Sequence, residues 1–298
     1  METGTFFLAR GLREDRRVKF SLILATVGRV QEVYRFLESL DAQTYRSFEL
    51  IVVDQNEDDR LVPILQRFQS HFPICHLRYY GRGLSRARNE GLKRISGDIV
   101  AFPDDDCLYP PNLLEKVARW FAEHPERHGL TGRSVTDKAT PSSGRWDRAA
   151  GDVDRYNVWR RGISITIFLR KEVVETVGSF DEKLGVGAGT PWGSAEETDY
   201  LIRALEAGFR IFYDPTLTIT HPDKTPEVSL ERVRSYGRGM AYVLRKHSYP
   251  MWYVLYYLMR PLGGVVLAAI TGRFRKMSYH WNTLLGRLEG YYAKGQGK

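Results

Sequence analysis

Apolar runs alternate with segments of helical periodicity from Phe20 to Glu123, and this alternation constrains the fold more than any other feature of the chain. Each apolar run is followed by hydrophobic residues spaced three and four apart, as on one face of a helix. Strands are predicted at residues 20–25, 48–53, 76–80 and 99–102, and helices at 30–40, 60–69, 84–95 and 112–123. Four such alternations predict an α/β fold with a mostly parallel sheet and helices on both faces.

The pattern is weaker in the middle of the chain and recovers after it. Residues 129–162 are rich in Gly, Ser, Thr and Arg with only short periodic runs, so we predict irregular structure there. The glycine-rich stretch 185–189 follows no predicted strand and lacks the spacing of a phosphate-binding loop, which favours a mobile loop. Further elements are predicted as a strand at 163–169, helices at 171–178 and 195–207, and strands at 209–213 and 217–220.

Length and cysteine usage narrow the class of protein. The 298 residues are 43% hydrophobic, which is enough to bury a large core. The two cysteines, Cys75 and Cys107, cannot form a disulfide framework and favour a reducing, cytoplasmic compartment. Near the N-terminus apolar residues precede a group of arginines, which reverses the order of a signal peptide, so secretion is not expected.

The net charge of +8 and the pI near 9.4 would suit nucleic acid, an anionic membrane or a phosphate-bearing substrate. The excess positive charge lies towards the C-terminus, where nine basic residues between Met240 and Lys298 face a single acid, Glu289. The basic residues are Arg245, Lys246, Arg260, Arg273, Arg275, Lys276, Arg287, Lys294 and Lys298.

Two apolar runs in this basic region, at 250–259 and 265–270, are separated by Arg260, Pro261 and two glycines. A spanning helix needs about 20 predominantly apolar residues, and a central Arg and Pro oppose it. We therefore predict a pair of helices that lies on an anionic membrane surface, with aromatic side chains such as Trp252 at the headgroup level. The alternative is a hairpin packed on the rest of the chain, or an interface in a homo-oligomer.

Polar residues follow the predicted strands at the edge of the sheet where ligands bind in such folds. Thr26 and Arg29 follow the first strand, Asp54 follows the second, and Asp104, Asp105 and Asp106 follow the fourth. Three adjacent carboxylates repel one another unless a cation offsets them, and Mg²⁺ or Mn²⁺ prefers such oxygen ligands. The alternative is an acidic turn that caps the next helix.

Other side chains in this region suit a nucleotide ligand. Asp54 can accept hydrogen bonds from a base or a ribose, and Arg86 or Arg88, on the helix after the third strand, can face a diphosphate. Arg29 can also reach a phosphate. A solvated arginine is the alternative for each of the three.

Three segments together resemble a known family. Residues 83–91 (GLSRARNEG), 97–106 (GDIVAFPDDD) and 195–199 (AEETD) are similar, in order and spacing, to the ARN-containing helix, the DXD motif and the ED-type motif of family 2 inverting glycosyltransferases with the GT-A fold. The resemblance covers roughly residues 19–222, and the joint signal is specific where each motif alone is not.

The resemblance implies roles for individual residues. Asp54 would contact the nucleotide base, Asp104 the ribose side and Asp106 a bound Mn²⁺ or Mg²⁺. His221 resembles the family's late ligand of the metal or diphosphate. Asp105 is expected on the donor side, with no more specific role.

The family's Glu-Asp pair is Glu196-Glu197 in this chain, and Glu197 takes the place of the catalytic Asp. Glu197 is therefore the expected general base, with Glu196 and Asp199 as alternatives. Trp192 resembles an acceptor-stacking platform, although a buried aromatic residue is the commoner role for such a side chain.

The resemblance implies metal-dependent, inverting transfer of a sugar from a nucleotide-diphosphate sugar to the hydroxyl of a sugar or lipid-linked acceptor. Together with the composition and the C-terminal pattern, it predicts a basic N-terminal extension at 1–18, a GT-A domain at 19–227 and a helical region at 228–298. The cysteine usage and the basic apolar C-terminal region predict a protein in the cytoplasm, peripheral at the inner face of the cell membrane. The acceptor is expected to meet the irregular segments.

A nucleotidyltransferase is the alternative enzyme, but residues 26–29 poorly match the Gly-rich basic loop that it would need. A basic protein that binds nucleic acid or membrane is the non-enzymatic alternative. Acids line the predicted cleft while the bases lie elsewhere, so we expect no nucleic acid partner.

Overall fold

The computed structural model describes residues 17–142, 146–222 and 229–293. Its first elements are β1 (Phe20–Thr26), α1 (Gln31–Asp41), β2 (Phe48–Asp54), α2 (Val62–Phe68), β3 (Ile74–Arg78), α3 (Leu84–Leu92), β4 (Ile99–Ala101), α4 (Leu113–Glu123), β5 (Gly129–Val135) and β6 (Gly151–Asp152). They are followed by α5 (Val158–Arg161), β7 (Ile167–Arg170), α6 (Lys171–Val177), α7 (Glu196–Glu206), β8 (Ile211–Thr220), α8 (Leu230–Lys246), α9 (Met251–Ile270) and α10 (Phe274–Tyr292).

Some predictions fall outside the described residues. They are nearly all of the basic N-terminal extension, the boundary between residues 227 and 228, and the basic residues Lys294 and Lys298.

The strands form one eight-stranded sheet in the order β3-β2-β1-β4-β7-β5-β8-β6. β1 pairs in parallel with β2 and β4, and β2 pairs in parallel with β3, which confirms the predicted parallel arrangement of the first four strands. β7 is antiparallel to both of its neighbours, β4 and β5. The sheet is therefore mixed, and β1 to β4, which come from the N-terminal half of the chain, form a parallel part of it.

Side chains alternate across β1 and so feed two separate cores. Leu22 and Leu24 are buried with Phe36 and Leu37 of α1 on one face of the sheet. Ile23 is buried on the other face, in the cluster that contains Leu201 of α7. The predicted layers of helices on both faces are confirmed, because a strand buried on both faces needs cover on both.

The prediction of irregular structure at 129–162 was wrong for β5, which lies inside the sheet between β7 and β8. The pairing of β5 with β8 shifts register between Thr131 and Arg133. Gly132 lies at this irregularity, and a Cβ there would be 2.1 Å from the carbonyl oxygen of Leu217. A glycine at a bulge lets two backbones approach closely. Because glycines and polar residues make up most of β5, the strand lacks the apolar alternation by which strands are recognised.

Other boundaries also differ from the predictions, and β3, predicted at 76–80, is observed at Ile74–Arg78. The predicted strand at 163–169 begins as a 3₁₀ turn at Ser164–Thr166 and becomes extended only in β7. The strands predicted at 209–213 and 217–220 are one continuous strand, β8, which includes Pro215.

The two apolar runs near the C-terminus form one helix, α9, and not the predicted pair. Pro261 lies inside α9 and has no N–H to donate to the carbonyl of Tyr257, four residues earlier. The guanidinium of Arg287, on α10, donates a hydrogen bond to that carbonyl oxygen. A side chain from a neighbouring helix thus satisfies the acceptor that proline leaves free, and the helix continues.

Helices α8 and α10 cross at very short distance. A Cβ at Gly286 would be 2.1 Å from the carbonyl oxygen of Arg234, so only glycine permits this approach. Arg234 and Arg238 of α8 both pair with Glu289 of α10 beside the crossing. These contacts hold the C-terminal helices together as a layer.

Helix α9 is long and apolar enough to cross a membrane, as judged by length and composition, and one third of its most apolar window is buried. Many of its large side chains are exposed. They are Met251, Trp252, Leu255, Tyr256, Met259, Val266, Leu267 and Ile270.

Candidate functional site

The ends of β1, β2 and β4 bring the predicted site residues to one edge of the sheet. Thr26, the last residue of β1, is the register partner of Asp54, the last residue of β2. Asp104 forms an isolated parallel bridge with Ala25 just beyond β4. The sequence therefore placed this carboxylate cluster correctly, because parallel strands expose their carboxyl ends at the same edge.

The three adjacent aspartates have different surroundings. Asp105 is buried and accepts a hydrogen bond of 2.7 Å from the hydroxyl of Thr26. Arg29 forms ion pairs with both Asp105 and Asp106. Burial raises the pKa of Asp105 to about 6, although Arg29 acts in the opposite direction. Asp105 thus lies beneath the site, and Arg29 offsets part of the negative charge.

Asp104, Asp106 and His221 form a group that could hold a metal ion. One ligand atom from each of the three lies within 4.8 Å of the others. His221 follows β8, its backbone N–H donates to the carbonyl of Val135 at 2.8 Å, and its Nε2 lies 3.2 Å from Oδ1 of Asp106. The two carboxylates suit Mn²⁺ or Mg²⁺, and the imidazole is a ligand that suits the transition metal of the two, Mn²⁺, better. The residues present therefore fit a divalent cation.

Arg88, on α3, connects this cluster to the acidic start of α7. Its guanidinium is only 1% exposed, lies 3.1 Å from Oδ1 of Asp104, and lies 3.2 Å from Oε1 of Glu196. It also lies over the ring of Phe180, 5.6 Å from the centroid. Arg86, two residues earlier, is exposed and pairs with Glu182 instead. Of the two arginines predicted to face a diphosphate, only Arg88 belongs to the carboxylate cluster.

The first turn of α7 presents Glu196 and Glu197 after a strained residue. Ala195 has a φ of 70°, a left-handed conformation that costs an L-residue about 1 kcal/mol or more. Burial raises the pKa of Glu196, and Arg88 opposes this. Burial also raises the pKa of Glu197, and the negative charge of Glu196 raises it further. Of the pair, Glu196 is the one that contacts the guanidinium of Arg88 directly.

Asp199, the third acid of this turn, is completely buried, and both of its carboxylate oxygens pair with basic side chains. It pairs with Lys246 at 2.7 Å and His247 at 2.8 Å, both at the end of α8, and with Arg203 at 3.0 Å. Burial acts to raise the pKa of Asp199, but hydrogen bonds from His247 and Lys246 outweigh it and lower the pKa to about 2. Asp199 joins α7 to α8.

Asp54 is also completely buried, and its oxygens contact the protein itself. Oδ1 accepts hydrogen bonds from the backbone and the side chain of Asn56, and Oδ2 lies 2.9 Å from Nε2 of His76. Asn56 in turn accepts a hydrogen bond from the backbone N–H of Gly28 at 2.7 Å. Contact between Asp54 and a nucleotide base stays a prediction.

Trp192 is buried and stacks on Tyr242 of α8, with ring centroids 4.0 Å apart. Its predicted contact with an acceptor likewise stays a prediction. Other aromatic residues, which the sequence did not single out, line an open cavity of about 310 Å³ beside Glu197. They are Trp146, Trp159, Tyr236 and Tyr279.

The cavity is built by parts of the chain that are far apart in sequence. Its walls include Trp159 and Arg160 of α5, Glu197 of α7, Tyr236 of α8 and Arg287 of α10. Local periodicity carries no signal for such a cavity, because the cavity depends on tertiary contacts between elements that are far apart in sequence. Arg287 in particular could not be distinguished from a solvated helix residue by sequence.

Comparisons with known proteins concern the family and the fold of the chain. The sequence profile described as Glycosyl transferase family 2 matches residues 21–174. The chain is 24% identical over 259 residues to glycosyltransferase AglE of Haloferax volcanii, covering 81% of this chain and 82% of that protein. It is 27% identical over 224 residues to the glucosyl-dolichyl phosphate glucuronosyltransferase of the same organism, covering 68% and 69%.

Among solved structures, the mannosyltransferase PcManGT from Pyrobaculum calidifontis, in complex with GDP-Man and Mn²⁺, is similar with a TM-score of 0.68. The two sequences are 15% identical, and the match covers 94% of this chain and 89% of that one. This likeness concerns the fold, and it confirms the expected GT-A architecture.

Proposed function

The chain belongs to glycosyl transferase family 2 and is a glycosyltransferase, and on that premise we propose that it carries out metal-dependent, inverting transfer from a nucleotide-diphosphate sugar to an acceptor hydroxyl. One observation carries the proposal. Arg88 joins Asp104, a member of the group that could hold a metal, to Glu196, the neighbour of Glu197, so a donor site and a base lie side by side.

The donor side of the proposal rests on the sheet edge. Asp106 and His221 would hold Mn²⁺ or Mg²⁺, with Asp104 beside them towards the ribose. A divalent cation bound there would stabilise, as a Lewis acid, the charge that develops on the departing diphosphate. Arg29 pairs with Asp105 and Asp106, so it is also placed to meet a donor phosphate. Thr26 would hold Asp105 in position beneath the donor.

The acceptor side rests on Glu197. Glu196 is paired with Arg88 and Asp199 with residues of α8, whereas Glu197 lines the cavity. Glu197 would accept the proton of the acceptor hydroxyl. The hydroxyl oxygen would then bond to the anomeric carbon from the face opposite the diphosphate. The bond from that carbon to the diphosphate would break, and its electron pair would leave with the diphosphate.

We propose that residues 19–227 form the catalytic unit and residues 228–298 a helical unit that completes its acceptor side. The exposed apolar face of α9, followed by the exposed Arg273, Arg275 and Lys276, suits an anionic membrane at the cytoplasmic face of the cell membrane. Co-sedimentation with vesicles tests this. Binding to phosphatidylglycerol vesicles should exceed binding to phosphatidylcholine vesicles and should fall in Trp252→Asp. Equal binding by the variant would contradict it.

Thermal unfolding with a panel of UDP-, GDP- and dTDP-sugars tests the enzymatic proposal, because a ligand of the folded state raises the melting temperature. At least one donor should raise it in Mn²⁺ or Mg²⁺ and lose that effect in EDTA. His221→Ala should abolish the metal-dependent part, whereas His71→Ala, at an exposed histidine paired with Asp41, should not. A donor effect that is equal in EDTA would contradict the metal site.

A further inference from the structure

Arg287 is a largely buried cation on α10 without a counter-charge among the described residues. Its Nε has no hydrogen-bond partner there, and one terminal nitrogen donates to the carbonyl of Tyr257, which is neutral. The charged group that acts most on it is Arg260, another cation. Burial, together with the smaller effect of Arg260, lowers the pKa of Arg287 to about 10, so the guanidinium still carries its charge at neutral pH.

A buried charge without an opposite charge costs several kcal/mol on the scale of ion desolvation, and proteins usually pair such groups. Elsewhere in this structure the buried cation Arg88 follows that rule, because it pairs with two carboxylates. Arg287 instead lines the open cavity beside Glu197. The space next to this cation is therefore accessible to a ligand.

The cavity belongs to the acceptor side of the proposed reaction. Its walls come from α5, α7, α8 and α10 and the residues next to them, and among the described residues none of Asp104, Asp106 or His221 contributes. Trp159, Tyr236 and Tyr279 supply flat apolar surfaces of the kind that contact sugar rings. An anion in this cavity would thus arrive with the acceptor and not with the donor.

We infer that the acceptor carries a phosphate group and that Arg287 binds this phosphate while Glu197 meets the acceptor hydroxyl. This rests on the proposed function and deepens it by naming the acceptor class. The guanidinium suits a phosphate because its N–H groups form a planar fork that can donate to two oxygens. The phosphate positions the acceptor and is not consumed, since the bonds exchanged are the two at the anomeric carbon and the O–H bond of the acceptor, whose proton passes to Glu197.

The phosphate could be carried by a lipid or by a soluble sugar phosphate, and a matched set of acceptors separates these sources. Transfer would be measured to the same sugar as its octyl glycoside, its soluble 1-phosphate and its octyl phosphodiester. In the wild type, kcat/KM for both phosphorylated acceptors should be at least about tenfold higher than kcat/KM for the neutral glycoside. A factor of about ten corresponds to the free energy of one hydrogen bond between charged groups. A higher kcat/KM for the octyl phosphodiester than for the 1-phosphate would identify a lipid as the source of the phosphate. Equal kcat/KM values for the two would identify a soluble sugar phosphate.

Variants separate recognition from folding. Arg287→Gln should lose the preference for phosphorylated acceptors, mainly through KM, while transfer to the neutral glycoside changes little. Arg287→Lys keeps the charge and should retain part of the preference. Arg119→Gln, at an exposed arginine of α4 that pairs with Glu115, should retain all of it. Because Arg287 also supports α9 at Tyr257, a purely structural role would lower transfer to all three acceptors equally, and that result would overturn the inference.

Metal-dependent stabilisation by the donor is measured in the same samples. If the wild type shows it and transfers equally well to neutral and phosphorylated acceptors, this inference fails while the proposed function stands. If the wild type shows neither donor stabilisation nor transfer, the proposed function itself fails and the inference fails with it.

Discussion

Arg88 and Glu196 form a buried ion pair at 3.2 Å, and this pair makes the two adjacent glutamates of α7 unequal. Glu196 faces a cation that is almost completely buried, whereas Glu197 lines the cavity. Arg88 also reaches Asp104, so one side chain orders both the donor edge and the start of α7. We therefore regard Arg88 as a positioning residue.

Replacing Arg88 should be costly for stability. Arg88→Gln would leave two carboxylates near each other without their cation, and breaking a buried pair in this way costs about 3 kcal/mol. Urea unfolding measures the loss. The control is Arg86→Gln, at an exposed arginine of the same helix, which should stay within about 0.5 kcal/mol of the wild type. Similar losses of unfolding free energy in both variants would contradict the role of Arg88 as a buried partner of Asp104 and Glu196.

Asp199→Asn should reduce stability at neutral pH by about 2 kcal/mol, because the pKa of Asp199 is lowered from 3.8 to about 2 in the folded chain. A carboxyl with a lowered folded pKa stabilises above its unfolded pKa and loses that effect as the pH falls through its folded pKa. The gap between wild type and variant should therefore shrink as the pH falls from about 4 to about 2. Unfolding measured across that range, with the exposed Asp137→Asn as control, checks this. A gap that does not change with pH would assign the loss to packing instead.

Gly286→Ala should weaken the crossing of α8 and α10. The added Cβ would be 2.1 Å from the carbonyl oxygen of Arg234, and overpacking of this kind costs about 1–3 kcal/mol. Gly263→Ala, in α9, is the matched control because its Cβ would meet nothing within 4 Å. That variant should gain stability by up to about 1 kcal/mol from helix propensity. Thermal unfolding of the two variants should thus shift in opposite directions.

The pH dependence of transfer should show the raised pKa of Glu197. Burial and Glu196 hold that pKa above the ordinary value of 4.5, so the base is protonated and inactive at acidic pH. The logarithm of kcat/KM should rise with pH with a slope of about one and level off only above the usual range of a glutamate. A profile that is already level at about pH 5 would show that the group removing the proton has an unperturbed pKa.

The sequence predicted the first four strands, the sheet edge and the acidic start of α7 because each depends on local pattern. Apolar runs and helical spacing identify β1 to β4, and parallel strands then bring Asp54, Asp104 and Asp106 to one edge. These features need no knowledge of distant contacts.

What the sequence did not predict depends on tertiary contacts. β5 was missed because Gly132 stands at its irregular pairing with β8. The continuity of α9 through Pro261 depends on Arg287, which lies on a different helix. The cavity beside Glu197 is lined by residues of α5, α7, α8 and α10, which are far apart in sequence, so neither its aromatic walls nor Arg287 has a local signature.

The most direct test of the account is the effect of Glu197→Gln on transfer and on donor binding, measured in the same preparation. Transfer should fall by about 10²–10⁴-fold, as expected for loss of a general base, while metal-dependent stabilisation by the donor is retained. Glu175→Gln, at an exposed glutamate of α6, should leave both unchanged. Transfer by Glu197→Gln within about tenfold of the wild type would contradict the assignment of the base.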